Sequence, residues 1–226
     1  MKIMLSGMRE PENISALAAL NIDIMAFSFK KDDPRLIKMI SSRAGIIPDF
    51  SEDRLKKAGQ DIDGITPQKA DITKVGIFAD DMPQNIVTRI YNYDLNAVWL
   101  DGSENSVMID NLRRTVVPDI KPQLTVIKAV TIANDHDLCQ CSQYEGHADI
   151  LLLKNKPGEE IAWSVLDNYQ GATPFIIGGD ITPADAPRIK AVTNPLCQAV
   201  CLGTHFETEP GTISPEAVAR FLKALK

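Results

Sequence analysis

Cysteine is scarce. The four in 226 residues are Cys139, Cys141, Cys197 and Cys201, and neither close pair has the two-residue spacing of a zinc knuckle. Histidine is scarcer, with only His136, His147 and His205. Such a set offers no tetrahedral metal site, and free thiols in a reducing compartment are the expectation. No apolar run is long enough to span a bilayer. The N-terminal run carries one lysine and is broken by Ser6-Gly7-Met8-Arg9, which does not read as a signal peptide. Excess positive charge is missing too. A net charge of -6 and a pI near 5.1 argue against nucleic acid or an anionic membrane as partner, while leaving room for one local basic pocket. The expected compartment is the cytoplasm, and no cofactor or metal is expected.

The chain does hold short runs rich in Val, Ile and Leu, at 2–6, 22–29, 74–79, 95–100, 124–130, 148–153, 173–178 and 198–203. Most are continuously apolar rather than alternating, which suits a parallel sheet covered on its outer face by helices. Between them lie stretches with helix-start signals, such as Pro11, Pro83, Asn105, Asn134, Pro183 and Ser214-Pro215. They predict helices over 11–20, 83–92, 105–116, 135–144, 164–169, 183–191 and 215–225. Eight β-then-α units in a chain 44% hydrophobic indicate a single (β/α)8 TIM barrel over 1–226, with eight parallel strands and outer helices. A doubly wound open sheet is the alternative, but Ser6-Gly7-Met8 lacks the Gly-rich turn usual after its first strand. A long insertion after the second strand breaks the rhythm. Within it, 36–43 and 52–58 read as short helices, and 44–73 reads as a mobile excursion.

In a barrel, chemistry sits at the carboxyl ends of strands. Those positions include Ser6, Arg35 in the loop after strand two, Asp101, Lys154, Gly178-Gly179 and Gly203-Thr204. Gly178-Gly179 before a proline-started helix reads either as a phosphate cradle or as a tight turn. Ser6 is either a nucleophile or a small strand terminator, and no histidine precedes residue 136 to serve it in a triad. Arg35 suits an anionic substrate group or the solvent, and Lys154 an anion contact, a proton donor or the solvent.

The opening Met1–Ile14, with Ser6-Gly7-Met8 at its turn, is one of several segments that accumulate in order. Others are Phe27-Ser28-Phe29 with Pro34-Arg35, Val75–Phe78, Leu95–Glu104, Ile127–Val130, Asp149–Leu153, Gly178-Gly179 with Pro183, and Glu207–Gly211. Together they resemble the phosphoribosylanthranilate isomerase family of tryptophan biosynthesis, along essentially the whole chain. The resemblance implies a (β/α)8 barrel, an Amadori rearrangement and a phosphorylated sugar ligand, in a monomer or homodimer. It puts the family's catalytic base at Ser6 and its acid at Lys154, and its strand-four Gln and His at Trp99 and Asp101. Arg35, Asp101, Gly178, Gly179, Gly203 and Thr204 are the implied substrate contacts. A thiol can be tuned to a thiolate, whereas a serine hydroxyl has no accessible anion without a strong neighbour. Losing a general acid or base typically forfeits about 10² to 10⁴ in rate. The resemblance therefore predicts a family barrel whose isomerase step is weak or lost, the alternative being a non-catalytic phosphate-sugar-binding or regulatory paralogue.

Overall fold

The computed structural model describes residues 1–20, 22–40 and 72–226. Eight parallel strands pair in sequence order and close into a barrel: β1 (Lys2–Ser6), β2 (Ile24–Ser28), β3 (Thr73–Phe78), β4 (Ala97–Leu100), β5 (Thr125–Thr131), β6 (Ile150–Lys154), β7 (Phe175–Gly178) and β8 (Cys197–Leu202). Closure is the β1–β8 pairing, in which Met4 lies beside Cys201 and Leu5 beside Leu202. Outer helices are α1 (Pro11–Ala18), α2 (Pro83–Tyr93), α3 (Ser106–Val116), α4 (Trp163–Asp167), α5 (Ala186–Lys190) and α6 (Pro215–Leu225). A hairpin of β9 (Glu207–Glu209) and β10 (Thr212–Ile213) follows the last barrel strand. No helix among the described residues is long and apolar enough to cross a membrane.

Local chemistry explains the helix starts. Pro11, Pro83 and Pro215 sit in first turns, where a missing N–H costs nothing. Asn105 accepts from the Met108 N–H and Ser214 from the Ala217 N–H, each satisfying an otherwise orphaned donor. Two of the expected helices depart from the α form. The stretch 135–144 is a 3₁₀ helix, and 183–191 divides into a 3₁₀ turn and α5, with Pro187 in the first turn of α5. The expected helix at 36–43 is not formed over 36–40. Instead the Ile37 N–H donates to the Ser28 carbonyl at 2.8 Å, laying the chain against the end of β2. Of the expected mobile insertion 44–73, Thr73 opens β3, and 44–71 lies outside the described residues, as does the expected helix at 52–58.

Burial divides into two shells. Leu5, Met25, Phe27, Phe78, Leu100, Val126, Leu153, Ile177 and Leu202 face the helices, meeting residues such as Ile14, Ile90, Leu112 and Phe221. Met4, Ala26, Val75, Ile77, Trp99, Ile127, Leu152, Ile176, Ala199 and Cys201 fill the barrel interior. Each fully buried large side chain contributes on the order of 1.5–3 kcal/mol of transfer free energy.

Candidate functional site

The strand pleat selects which residues reach the barrel mouth. Side chains two apart share a face. Interior residues Met4, Trp99, Leu152, Ile176 and Cys201 therefore place Ser6, Asp101, Lys154, Gly178 and Gly203 in the next layer up. All five were read from the sequence, and the barrel brings them to one rim. Lys128, one residue out of phase with interior Ile127, points instead toward the helix shell, where its ammonium lies over the Tyr144 ring.

Four strands' worth of charge meets at this rim. Asp101 lies between two lysines: Lys154 donates to Oδ1 at 2.5 Å and Lys30 to Oδ2 at 2.8 Å. The Trp99 indole N–H donates to Oδ1 at 3.2 Å, so a third donor fixes the carboxylate from below. Burial pushes the Asp101 carboxyl up, but Lys154 and Lys30 outweigh it and hold the group below its ordinary value of 3.8. It stays ionised. The pattern continues outward, with Lys30 3.9 Å from Asp33 and Arg35 3.6 Å from Asp33. Arg35 then grips Glu207 with two nitrogens, at 2.5 and 2.6 Å, and donates to the Thr204 hydroxyl at 3.3 Å. From Lys154 to Glu207, cation and anion alternate without a break. The Glu207 hydrogen bond holds the Arg35 guanidinium above its ordinary range, against the opposing effect of burial. Gly7 makes room for this clamp: its φ is +98°, and a Cβ there would meet the Arg35 Cδ at 2.7 Å.

Ser6 faces a different neighbour. Its hydroxyl donates to the Leu202 carbonyl at 3.4 Å and accepts from the Cys201 thiol at 3.4 Å. Burial pushes the Cys201 thiol up to about 12, so no thiolate is at hand to draw the serine's proton. The same physics orders the thiols. Burial takes Cys141 and Cys197 up to about 11, while Cys139 is exposed. A disulfide reagent added to the native protein is expected to titrate Cys139 promptly and Cys201 only after unfolding. Rapid native labelling of Cys201, read by peptide mass mapping, would contradict the burial.

The Gly178-Gly179 turn is filled by the protein itself. Gly179 has φ +98°, and the space a Cβ would take is occupied by the Asn155 carboxamide. The Asn155 Oδ1 accepts the Asp180 N–H at 3.0 Å, and its Nδ2 donates to the Glu159 carbonyl. The Asp180 carboxylate accepts the Gly158 N–H at 2.6 Å, tying the loop after β6 to the loop after β7. An anion entering here must displace an amide oxygen and pass a carboxylate. Among the described residues, no buried side-chain nitrogen or oxygen lacks a hydrogen-bond partner, and no three His, Cys, Asp or Glu side chains converge as a metal ion requires.

Sequence reasoning gave no site role to Lys30, Asp33, Asn155 or Glu207 at this rim, nor to Cys201 in the layer beneath it. Cys201 carried a usable signal, lying two residues before Gly203 on the same pleat face. The others reach the rim through loops, where the pleat gives no guide. A groove of about 500 Å³ opens beside the mouth, lined by residues 29–35 and 79–81.

The molecule is thus a closed (β/α)8 barrel with its polar side chains gathered at the carboxyl ends of the strands, the end where barrel proteins keep their chemistry. Its sequence matches the family described as N-(5'-phosphoribosyl)anthranilate (PRA) isomerase over residues 33–224, and the chain belongs to that family. The N-(5'-phosphoribosyl)anthranilate isomerase of Parabacteroides distasonis is 27% identical over 231 residues, covering 100% of this chain and 93% of its own. That of Phocaeicola vulgatus is 26% identical over 232 residues, covering 100% and 98%. Among solved structures, phosphoribosyl anthranilate isomerase from Thermotoga maritima aligns with a TM-score of 0.73 at 22% identity, covering 100% of this chain and 98% of its own. At that identity the likeness carries the fold.

Proposed function

We propose that this barrel retains the frame of the isomerase family and has lost most or all of the isomerase step. The observation that carries this reading is the pairing of Lys154 with Asp101 at the position where the family resemblance puts the catalytic acid. Lysine stands where a carboxylic acid should donate to the sugar ring oxygen. Asp101, the carboxylate in contact with it, is held ionised and cannot take over as acid. At the position of the base, the Ser6 hydroxyl is bonded to a carbonyl and a protonated thiol, neither of which can accept its proton.

A phosphorylated sugar remains the ligand class that the resemblance implies, with Arg35, Gly178, Gly179, Gly203 and Thr204 as its contacts. Binding it requires Asn155 to leave the Asp180 N–H and Arg35 to loosen its hold on Glu207. The decisive experiment is complementation of a bacterial strain lacking this isomerase, with soluble expression checked in parallel. The unmodified chain is expected not to restore growth without tryptophan. Robust growth would overturn the reading.

A further inference from the structure

We propose that Asn155 is a built-in plug, an autoinhibitory contact that keeps a phosphate group out of the Gly178-Gly179 turn and whose removal alone opens that turn to the anion. It rests on the phosphorylated ligand class proposed above only for the choice of anion. The loop after the seventh strand of a barrel is a frequent phosphate site, and a turn through positive φ aims successive backbone N–H groups at one concavity. Gly179 has that conformation, at φ +98°. What fills the concavity is the Asn155 carboxamide, which stands where a Cβ on Gly179 would be.

The hydrogen bonds show why this one side chain closes the turn. Each of the N–H groups that follow Gly179, on Asp180, Ile181 and Thr182, is taken. Ile181 donates to the Gly179 carbonyl at 2.9 Å, which closes the turn itself. Thr182 donates to the Asp185 carboxylate at 2.8 Å, as part of the capping box of the 3₁₀ turn behind it. Asp180 donates to the Asn155 Oδ1 at 3.0 Å, and of the three only this bond can pass to a ligand without undoing the local backbone. The plug is also held in place. Asn155 is 4% exposed, and its Nδ2 donates to the Glu159 carbonyl, which fixes the oxygen toward the turn. Gly158 donates to the Asp180 carboxylate at 2.6 Å, so the loop that carries Asn155 is tied to the turn it covers. The amide oxygen satisfies the Asp180 donor as an anion's oxygen would, without bringing a charge.

The test is titration of the full chain with inorganic phosphate, read by the backbone amide NMR signals of Gly179 and Asp180, against chloride at matched ionic strength. Asn155→Ala frees both the donor and the space, and is expected to bind phosphate at least about tenfold more tightly than the unmodified chain, the worth of one hydrogen bond to a charged group. Asn155→Asp keeps an oxygen over the turn and adds a charge, so it is expected to stay as closed as the unmodified chain. The Asp180 carboxylate opposes an anion in all three proteins, so the comparison isolates the plug. Circular dichroism checks each fold, and Asn155→Gly, which clears the same space, replaces the alanine variant if that one is unfolded. Unmodified chain whose Gly179 and Asp180 signals move with phosphate as readily as those of the alanine variant would overturn the proposal. So would a folded alanine variant that gains no affinity, or an aspartate variant that opens as the alanine one does. The titration involves no turnover, so its failure is distinguishable from growth in the complementation experiment.

Discussion

Glu104→Ala is expected to lower the unfolding free energy by about 3–5 kcal/mol, the range for removing one partner of a buried ion pair. The side chains of Lys128 and Glu104 are 2% and 3% exposed and lie 3.2 Å apart, behind the barrel wall rather than at its mouth. Glu104 does more than neutralise the lysine. Its Oε1 accepts the Asp80 N–H at 2.8 Å and its Oε2 the Gly102 N–H at 3.0 Å, joining the turns after β3 and β4. Alanine strands one buried ammonium and two amides at once. Glu104→Gln keeps an oxygen for the amides and is expected to cost about 2 kcal/mol. Urea unfolding decides the matter through a shifted midpoint at constant slope. A loss under about 1 kcal/mol for the alanine variant would mean that water replaces the carboxylate, against the burial described.

The second large effect is expected in a double-mutant cycle at the rim. The family resemblance puts an acidic residue at 154 and a histidine at 101, where this chain has Lys154 and Asp101. The polarity of the pair is inverted. Lys154→Asp alone brings two carboxylates together where an amine sat 2.5 Å from Asp101, and two such groups cannot both stay ionised cheaply. Asp101→His alone leaves Lys30 and Lys154 without their shared anion. Each single change is expected to destabilise by about 2 kcal/mol, and the double variant to recover about 1–3 kcal/mol of coupling. Strict additivity, within about 0.5 kcal/mol, would show that the two positions do not sense each other. The cycle also bears on restoring the family's chemistry. Ser6→Cys with Lys154→Asp is poorly matched while Asp101 remains, so a third change at 101 belongs in any such attempt.

The strands were legible because a parallel barrel buries both faces and writes continuous runs of Val, Ile and Leu into the sequence. Helix starts were legible where proline or a capping side chain marked them. Ser6, Asp101 and Lys154 were found because the pleat and the strand end together determine which side chain reaches the mouth. Their pairing was not legible, because Lys30 reaches Asp101 over 71 residues and Arg35, itself read as an anion contact, reaches Glu207 over 172. Such contacts exist only once the barrel is closed. The Asn155 carboxamide over Gly179 was hidden for a related reason: Gly178-Gly179 reads identically whether an anion or a neighbouring side chain fills the turn. Helix content at 36–40 failed because apolar Ile37 and Ile40 are buried beside β2 without forming a helix.

The β1–β8 seam also governs the order in which the fold can be made. Ser6 meets Leu202 across a separation of 196 residues, and beside them Asn13 exchanges two hydrogen bonds with Ile213. During synthesis, β1 can pair with β2 early, but its other edge stays bare until β8 leaves the ribosome. Throughout that interval the nascent chain presents an unpaired apolar edge, the kind of surface that recruits foreign strands. Contacts of such long range also slow the final closure. Arg35 can grip Glu207 only then, so this end of the charged rim is the last to come into existence.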